Sequence, residues 1–166
     1  MISKIKALLI KIKAVRDLYS IFQNRKRNIY KRNKQIFINK RGVEIGGPTK
    51  IFKSNGSFPI YPLLKSLDNI NFSNDNFWST IQEGNNYIYE SGKIAGRQII
   101  AEGMDLRAIQ DNSYNLMLSS HVLEHIANPI KALKEWRRVI EDNGYLVIIL
   151  PDMRYTYDRK RPLTKF

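Results

Sequence analysis

The chain has 166 residues, 43% of them hydrophobic, no cysteine and a formal net charge of +13. That length suits one ordinary domain, and the apolar content supplies a packed core, which excludes a wholly disordered chain. The lack of cysteine excludes disulfides, thiolate metal ligands and a cysteine nucleophile, and fits a reducing compartment such as the cytoplasm. The charge is unevenly spread. Residues 1–41 hold 13 Lys and Arg against one acid, Asp17, while residues 42–166 are close to neutral. The basicity therefore belongs to an N-terminal extension and says little about the body.

The chain begins MISKIKALLIKIKAVRDLYSIF. Ile5, Leu8, Ile12, Val15, Tyr19 and Phe22 recur at spacings of three and four, the period of one helix face, with Lys and Arg elsewhere around it. The longest apolar run, Ala7 to Ile10, is too short to span a membrane or to form a signal-peptide core. The basic run NRKRNIYKRNK follows at 24–34. Three readings compete: a leading helix packed on its own domain, a peripheral contact with an anionic membrane surface through residues 1–34, and electrostatic binding to nucleic acid. Nucleic acid is the weakest of these, because no recognition motif or row of stacking aromatics accompanies the charge.

From residue 42 strands and helices alternate. GVEIGGP (42–48) reads as a short apolar strand ending in a glycine turn, and residues 49–63 as a loop. LKSLDNINF (64–72) is a second strand. NDNFWSTIQEG (74–84) suggests a short helix. RQIIAEGMD (97–105), YNLMLSS (114–120) and GYLVIILP (144–151) complete five strands. Continuous apolar runs suit buried parallel strands. Between the last two lies a helix with Asn128 as N-cap and Pro129 in its first turn, a face of Ile130, Leu133, Trp136 and Val139 or Ile140, and a stop at Gly144. Strand, helix, strand in this order is a right-handed parallel crossover, so the fold class is α/β with a doubly wound, mostly parallel sheet. Ligands in such sheets bind at the carboxyl ends of the strands. That rule selects Gly46, Gly47, Asp68, Asp105, Leu106, Ser119, Ser120, His121, Pro151 and Asp152.

The stretch SSHVLEH (119–125) spells H-x-x-E-H and holds both histidines of the chain, His121 and His125. The spelling matches a zinc metalloprotease signature. Zinc would need both histidines on one stable helix and a third ligand. Here Asn128-Pro129 follows almost at once, and no further His or Cys exists to complete a site. No metal is therefore expected. Acids on successive strands point to a different ligand. Asp68 is placed to accept from a ribose diol, Asp105 from an adenine amino group, and Glu44 to brace the glycine turn or order a charged end of the ligand.

VEIGGPTKIF (43–52), SSHVLEHIANPIKALKEWRRVI (119–140), GYLVIILP (144–151) and TYDRKRPLT (156–164) together resemble class I S-adenosylmethionine-dependent methyltransferases, in the broad group with the ubiquinone-biosynthesis-type domain. The resemblance covers 42–164, and SSHVLEHIANP is its most specific part. It implies a Rossmann-like sheet of strand order 3-2-1-4-5 with S-adenosylmethionine as cofactor. Glu44, Gly46 and Gly47 would form the first cofactor loop. Asp68 would hold the ribose, and Asp105 with Leu106 the adenine. Ser119, Ser120 and His121 would approach the methionine part, with Glu124 and His125 bracing the next helix. The first loop departs from the commoner E-x-G-x-G-x-G, since Pro48 has no N–H to offer. Seven strands are expected of the family, whereas this chain ends about fifteen residues after its fifth. The expected domains are thus a basic amphipathic helical extension at 1–41 and a methyltransferase domain at 42–166 lacking strands 6 and 7.

Methyl transfer needs alignment and a dry pocket, and a base only where the acceptor must lose a proton. His121 is the first candidate base and Asp152 the second. The expected acceptor is a small molecule or glycan-type compound. The rival reading is an inactive remnant that binds a membrane surface or acidic partner through its basic segment.

Overall fold

The computed structural model describes residues 28–73, 75–76, 79–80, 82–90, 96–157 and 159–162. The amphipathic stretch before residue 28 lies outside them. The apolar runs form strands β1 (Arg41–Ile45), β2 (Ser66–Asn71), β3 (Asp75–Asn76), β4 (Ser79–Thr80), β5 (Gly84–Tyr87), β6 (Gly96–Ile100), β7 (Tyr114–Ser120) and β8 (Ile140–Ile149). Six of them make one sheet in the order β5-β6-β2-β1-β7-β8. The five from β6 to β8 are parallel, and β5 runs antiparallel on the edge. Counting the parallel strands alone gives the expected 3-2-1-4-5.

β1 and β7 are buried along nearly their whole length because both faces of the sheet are covered. On one face Val43, Ile45, Ile70 and Met117 pack against Ala132, Trp136 and Val139 of the crossover helix Pro129–Val139. On the other, Leu67, Leu116 and Leu118 pack against Phe37, Phe52, Ile60 and Tyr61. The second face is covered by the single 3-10 turns Lys50–Phe52 and Tyr61–Leu63 within the expected loop.

The crossover helix starts as its sequence dictates. Pro129 occupies the first turn, and the Asn128 side chain accepts a hydrogen bond from the Lys131 N–H at 3.0 Å. Its end differs from expectation. Ile140 already pairs with Tyr114, and the register then shifts so that Tyr145 lies opposite Leu116. The segment ending at Gly144 is therefore a bulge in β8, and the helix stops at Val139. Ile130 points outward at 64% exposure, and Ala132 takes the buried position expected of it.

One further expectation is corrected. In the stretch 74–84, where a short helix was sought, the described residues 75–76 and 79–80 form a β3–β4 antiparallel pair, with Asp75 opposite Thr80 and Asn76 opposite Ser79. Asn, Asp and Ser are intrinsically poor helix formers. The described residues just before the expected boundary at 41 contact the domain. Residues 28–33 are helical, Phe37 is 2% exposed inside the core, and the Asn39 N–H donates to the Leu63 carbonyl at 2.8 Å. The described part of the extension is thus built into the domain.

Candidate functional site

A cleft of about 420 Å³ opens at the carboxyl ends of the parallel strands, a volume within the range of small-molecule sites. β1 contributes Ile45 and the following Gly46. β2 contributes Ile70, Asn71 and the following Phe72. The segment after β6 contributes Ala101 to Met104, and the segment after β7 contributes Val122 and His125 to Ala127. The strand order turns back at β1, the position where open α/β sheets bind ligands.

The backbone at this mouth is specialised. Gly46 has φ +77°, and its N–H donates to the Ile70 carbonyl at 2.8 Å. A Cβ there would stand 2.8 Å from Val122 Cγ2, so glycine is needed for both conformation and space. Gly47 is clamped by Asn69, whose Oδ1 accepts from the Gly47 N–H at 2.8 Å while its Nδ2 donates to the Gly47 carbonyl at 3.2 Å. His121 adopts φ +56°, a conformation that strains a residue bearing a side chain. Its N–H donates to the Ile149 carbonyl at 2.9 Å, tying the turn after β7 to β8.

Asn71 supplies an unsatisfied group. Its Nδ2 is buried and has no hydrogen-bond partner among the described residues, although the residue lines the cleft. Such a group calls for a ligand or water acceptor. Glu102 is the acid of the cleft wall, and Phe72 is an exposed aromatic at its rim, 68% accessible. Trp136 anchors the wall from below, donating its indole N–H to the Gly103 carbonyl at 2.7 Å.

Glu44 is fully buried beneath the glycine turn, and its Oε2 accepts from the Tyr61 hydroxyl at 2.5 Å and the Tyr87 hydroxyl at 3.3 Å. Tyr61 in turn accepts from the Thr49 N–H at 2.7 Å. Glu44 therefore braces the loop through two tyrosines. Burial raises its pKa, and the hydrogen bonds from Tyr61, Thr49 and Tyr87 oppose that rise. Its Oε1 is buried without a hydrogen-bond partner among the described residues.

Several expected ligand contacts lie elsewhere. Asp68 is the third residue of β2, well before its carboxyl end, and only 7% exposed. It accepts from the Arg97 N–H at 2.9 Å and the Tyr114 hydroxyl at 2.8 Å, and pairs with the Arg97 guanidinium at 3.2 Å. Its carboxylate is thus committed to the fold. β6 ends at Ile100, five residues before Asp105, which pairs instead with Arg107 at 2.7 Å. That hydrogen bond holds the Asp105 carboxyl below its ordinary range. Leu106 is fully buried, its N–H donates to Glu135 Oε2 at 2.9 Å, and its carbonyl accepts from Arg138 at 2.8 Å. Ser119 and Ser120 are buried in β7 and are not among the residues lining the cleft, and their hydroxyls have no hydrogen-bond partner among the described residues. Asp152 caps the turn Met153–Tyr155 and pairs with Arg154, whose hydrogen bonds hold its carboxyl down to about 2. So acidic a group is a poor proton acceptor at neutral pH.

The zinc spelling dissolves in the geometry. Leu123–His125 form one 3-10 turn, and His121 precedes it in the left-handed region, so the two histidines share no helix face. Glu124 Oε1 lies between them, 3.7 Å from His121 Nδ1 and 4.0 Å from His125 Nε2. Glu124 and His125 thus interact with this turn, and the helix start is capped by Asn128 instead. Among the described residues no group of three or more His, Cys, Asp or Glu is placed to hold a metal ion.

Residues 83–148 match the family model described as a methyltransferase domain, which is less than half of the chain. An uncharacterized protein of Methanocaldococcus jannaschii is 38% identical over 58 residues, covering 35% of this chain and 25% of that one. A solved structure from Bacillus halodurans C-125, provisionally named a methyltransferase, superposes with a TM-score of 0.50 at 15% identity, covering 72% of this chain and 49% of that one. An arsenic(III) S-adenosylmethionine methyltransferase from Chlamydomonas reinhardtii gives 0.47 at 16% identity, covering 68% and 38%. The chain thus spans a quarter of the curated relative and about half or less of these solved structures. The Bacillus likeness is one of fold, and that fold is Rossmann-like.

Proposed function

We propose that the chain is an S-adenosylmethionine-dependent methyltransferase domain acting on a small-molecule or glycan-type acceptor. The cleft carries the reading: it lies where the strand order turns back, closes on a left-handed Gly46 and presents the unpartnered amide of Asn71. The methyltransferase-domain match over 83–148 supports it from the sequence side. The residues present suit this cofactor. Asn71 would hold the ribose hydroxyls. Ile70, Met104 and Ile126 would flank the adenine, with Glu102 accepting from a polar edge. Ile45 and Gly46 would let the backbone approach the methionine part.

When bound, the cofactor supplies a sulfonium methyl group, which passes to the acceptor's lone pair as the C–S bond breaks and a neutral thioether departs. The protein's own share is alignment and exclusion of water. His121 is half exposed beside Val122 of the cleft wall, and His125 lines the cleft itself. These two, steadied by Glu124, are the candidates to take an acceptor proton. Among the described residues no helix is long and apolar enough to cross a membrane.

The test is calorimetric titration of the full chain with S-adenosylmethionine and with its demethylated product. Saturable binding of both is expected. A folded sample that binds neither at millimolar ligand overturns the reading.

A further inference from the structure

The two faces of the sheet are unequally covered near β8. One carries the crossover helix. The other carries an open apolar groove of about 320 Å³, walled by Ile29, Ile51, Phe58, Val147 and Ile149. Ile51, Phe58, Val147 and Ile149 pack on the core yet stay only partly buried, and Ile29 is 51% exposed. The strand that supplies Val147 and Ile149 carries no charged residue from 143 to its end at 149. A concentrated apolar surface of this kind marks a contact.

The rim of the groove is basic. Ile51 and Ser57 of its wall also line an open depression in the adjoining loop, together with Lys50 and Lys53. Lys31 and Arg32 are exposed on the helical residues 28–33 that supply Ile29. Among the described residues, the acid hydrogen-bonded to the loop is Glu90, which accepts from the Ser54 N–H at 2.8 Å and from its hydroxyl at 3.1 Å. Asp152, beyond the end of β8, is paired with Arg154. The charge flanking the groove is therefore positive.

Apolar side chains bordered by cations suit an anionic bilayer. The aliphatic and aromatic groups enter the boundary between headgroups and acyl chains, and the lysine and arginine heads stay with the lipid phosphates. Nucleic acid would engage the cations and leave the apolar groove unfilled. We propose that this face docks on an anionic lipid bilayer, with Ile29, Ile51 and Phe58 toward the acyl boundary and Lys31, Arg32, Lys50 and Lys53 among the headgroups. This contact does not depend on what the cleft binds.

The test is co-sedimentation of the full chain with vesicles. Binding to vesicles of equal parts phosphatidylglycerol and phosphatidylcholine should be at least about ten-fold tighter than to phosphatidylcholine alone, and added salt should weaken it. Ile29→Asp, and separately Lys50→Glu combined with Lys53→Glu, should each weaken that binding about ten-fold with the circular dichroism spectrum unchanged. Basic residues elsewhere in the chain are intact in both variants, so the loss reports on this face. The lack of native cysteine also allows a single-site probe. A polarity-sensitive fluorophore on Ile29→Cys should shift to the blue on the anionic vesicles. The same fluorophore on Ile130→Cys, exposed on the crossover helix of the opposite face, should not. Absence of binding to anionic vesicles, wild-type affinity in either folded variant, or equal shifts at the two labels overturns the proposal. A dimer formed without vesicles and dissolved by Ile29→Asp would give the groove to a second copy, and a blue shift with duplex RNA in place of vesicles would give the face to nucleic acid. Either overturns it.

Discussion

The carboxyl ends of the strands and their interior are built on opposite terms. At the ends the chain places small residues, left-handed backbone at Gly46 and His121, and an amide at Asn71 without a partner among the described residues. In the interior nearly every ionised side chain has partners. Asp68 holds Arg97 and Tyr114. Arg138 joins Glu135, Asp111 and the carbonyls of Leu106 and Ile109. Those contacts raise the pKa of Arg138 and lower that of Glu135, the mutual hydrogen bond being the largest cause of each. Groups already satisfied by the fold hold it together, and of the polar side-chain atoms buried without a partner among the described residues, the Asn71 amide is the one that lines the cleft and is open to a ligand.

The comparison can be broken by substitutions on either side. The largest effect is expected at Trp136→Ala, which empties a fully buried site and frees the Gly103 carbonyl. A loss of about 3–5 kcal/mol is expected in a urea unfolding titration. Asp68→Ala leaves the buried Tyr114 hydroxyl without its acceptor, and a loss of about 1–3 kcal/mol is expected in the same assay. The protein that remains folded should bind S-adenosylhomocysteine with unchanged affinity. A selective loss of affinity would return Asp68 to the ligand site.

Gly46→Val tests the other side. The left-handed conformation and the approach of Val122 Cγ2 oppose any Cβ. The strain costs about 1–2 kcal/mol of stability, and calorimetry should show at least a roughly ten-fold loss of cofactor affinity. Glu44→Gln gives a smaller, pH-dependent effect. Burial raises the Glu44 pKa above 4.5, so the folded state holds its proton more tightly than the unfolded state. The wild type should therefore lose stability relative to Glu44→Gln as pH climbs above that value, until Glu44 ionises in the folded protein. Thermal unfolding across that range checks the sign. Asp152→Asn should change neither stability nor cofactor affinity measurably, because its partner Arg154 is 75% exposed and the carboxylate 43%, so solvent screens the pair.

Much of the fold was legible because it rests on local chemistry. Branched runs gave β1, β2 and β7 within a residue or two, and Asn128-Pro129 gave the helix start. The site was less legible. Asp68 attracted attention as an acid, while the strand end itself carries Asn71. Reading β6 on to residue 105 carried the expected site past Glu102 and Gly103 to Asp105 and Leu106, which belong to the Arg107 and Glu135 contacts. The H-x-x-E-H spelling at His121 and His125 is already set aside by the nearby Asn128-Pro129, and the 3-10 turn Leu123–His125 agrees that the two share no helix face. The left-handed turn at His121 is tied to β8 through the bond from its N–H to the Ile149 carbonyl, which no local pattern announces. Trp136 read correctly as a core residue, but its bond to Gly103 joins positions far apart in sequence.

The central claim is that the ligand enters at the strand ends and spares the satisfied interior. Amide chemical shifts recorded during titration of the full chain with S-adenosylhomocysteine test it residue by residue. Large shifts are predicted at Gly46, Asn71, Phe72, Gly103 and Ile126, with Asp68, Arg97 and Arg154 nearly still. Saturable shifts centred on Asp68 and Arg97, or none at all in a folded sample, would contradict the account.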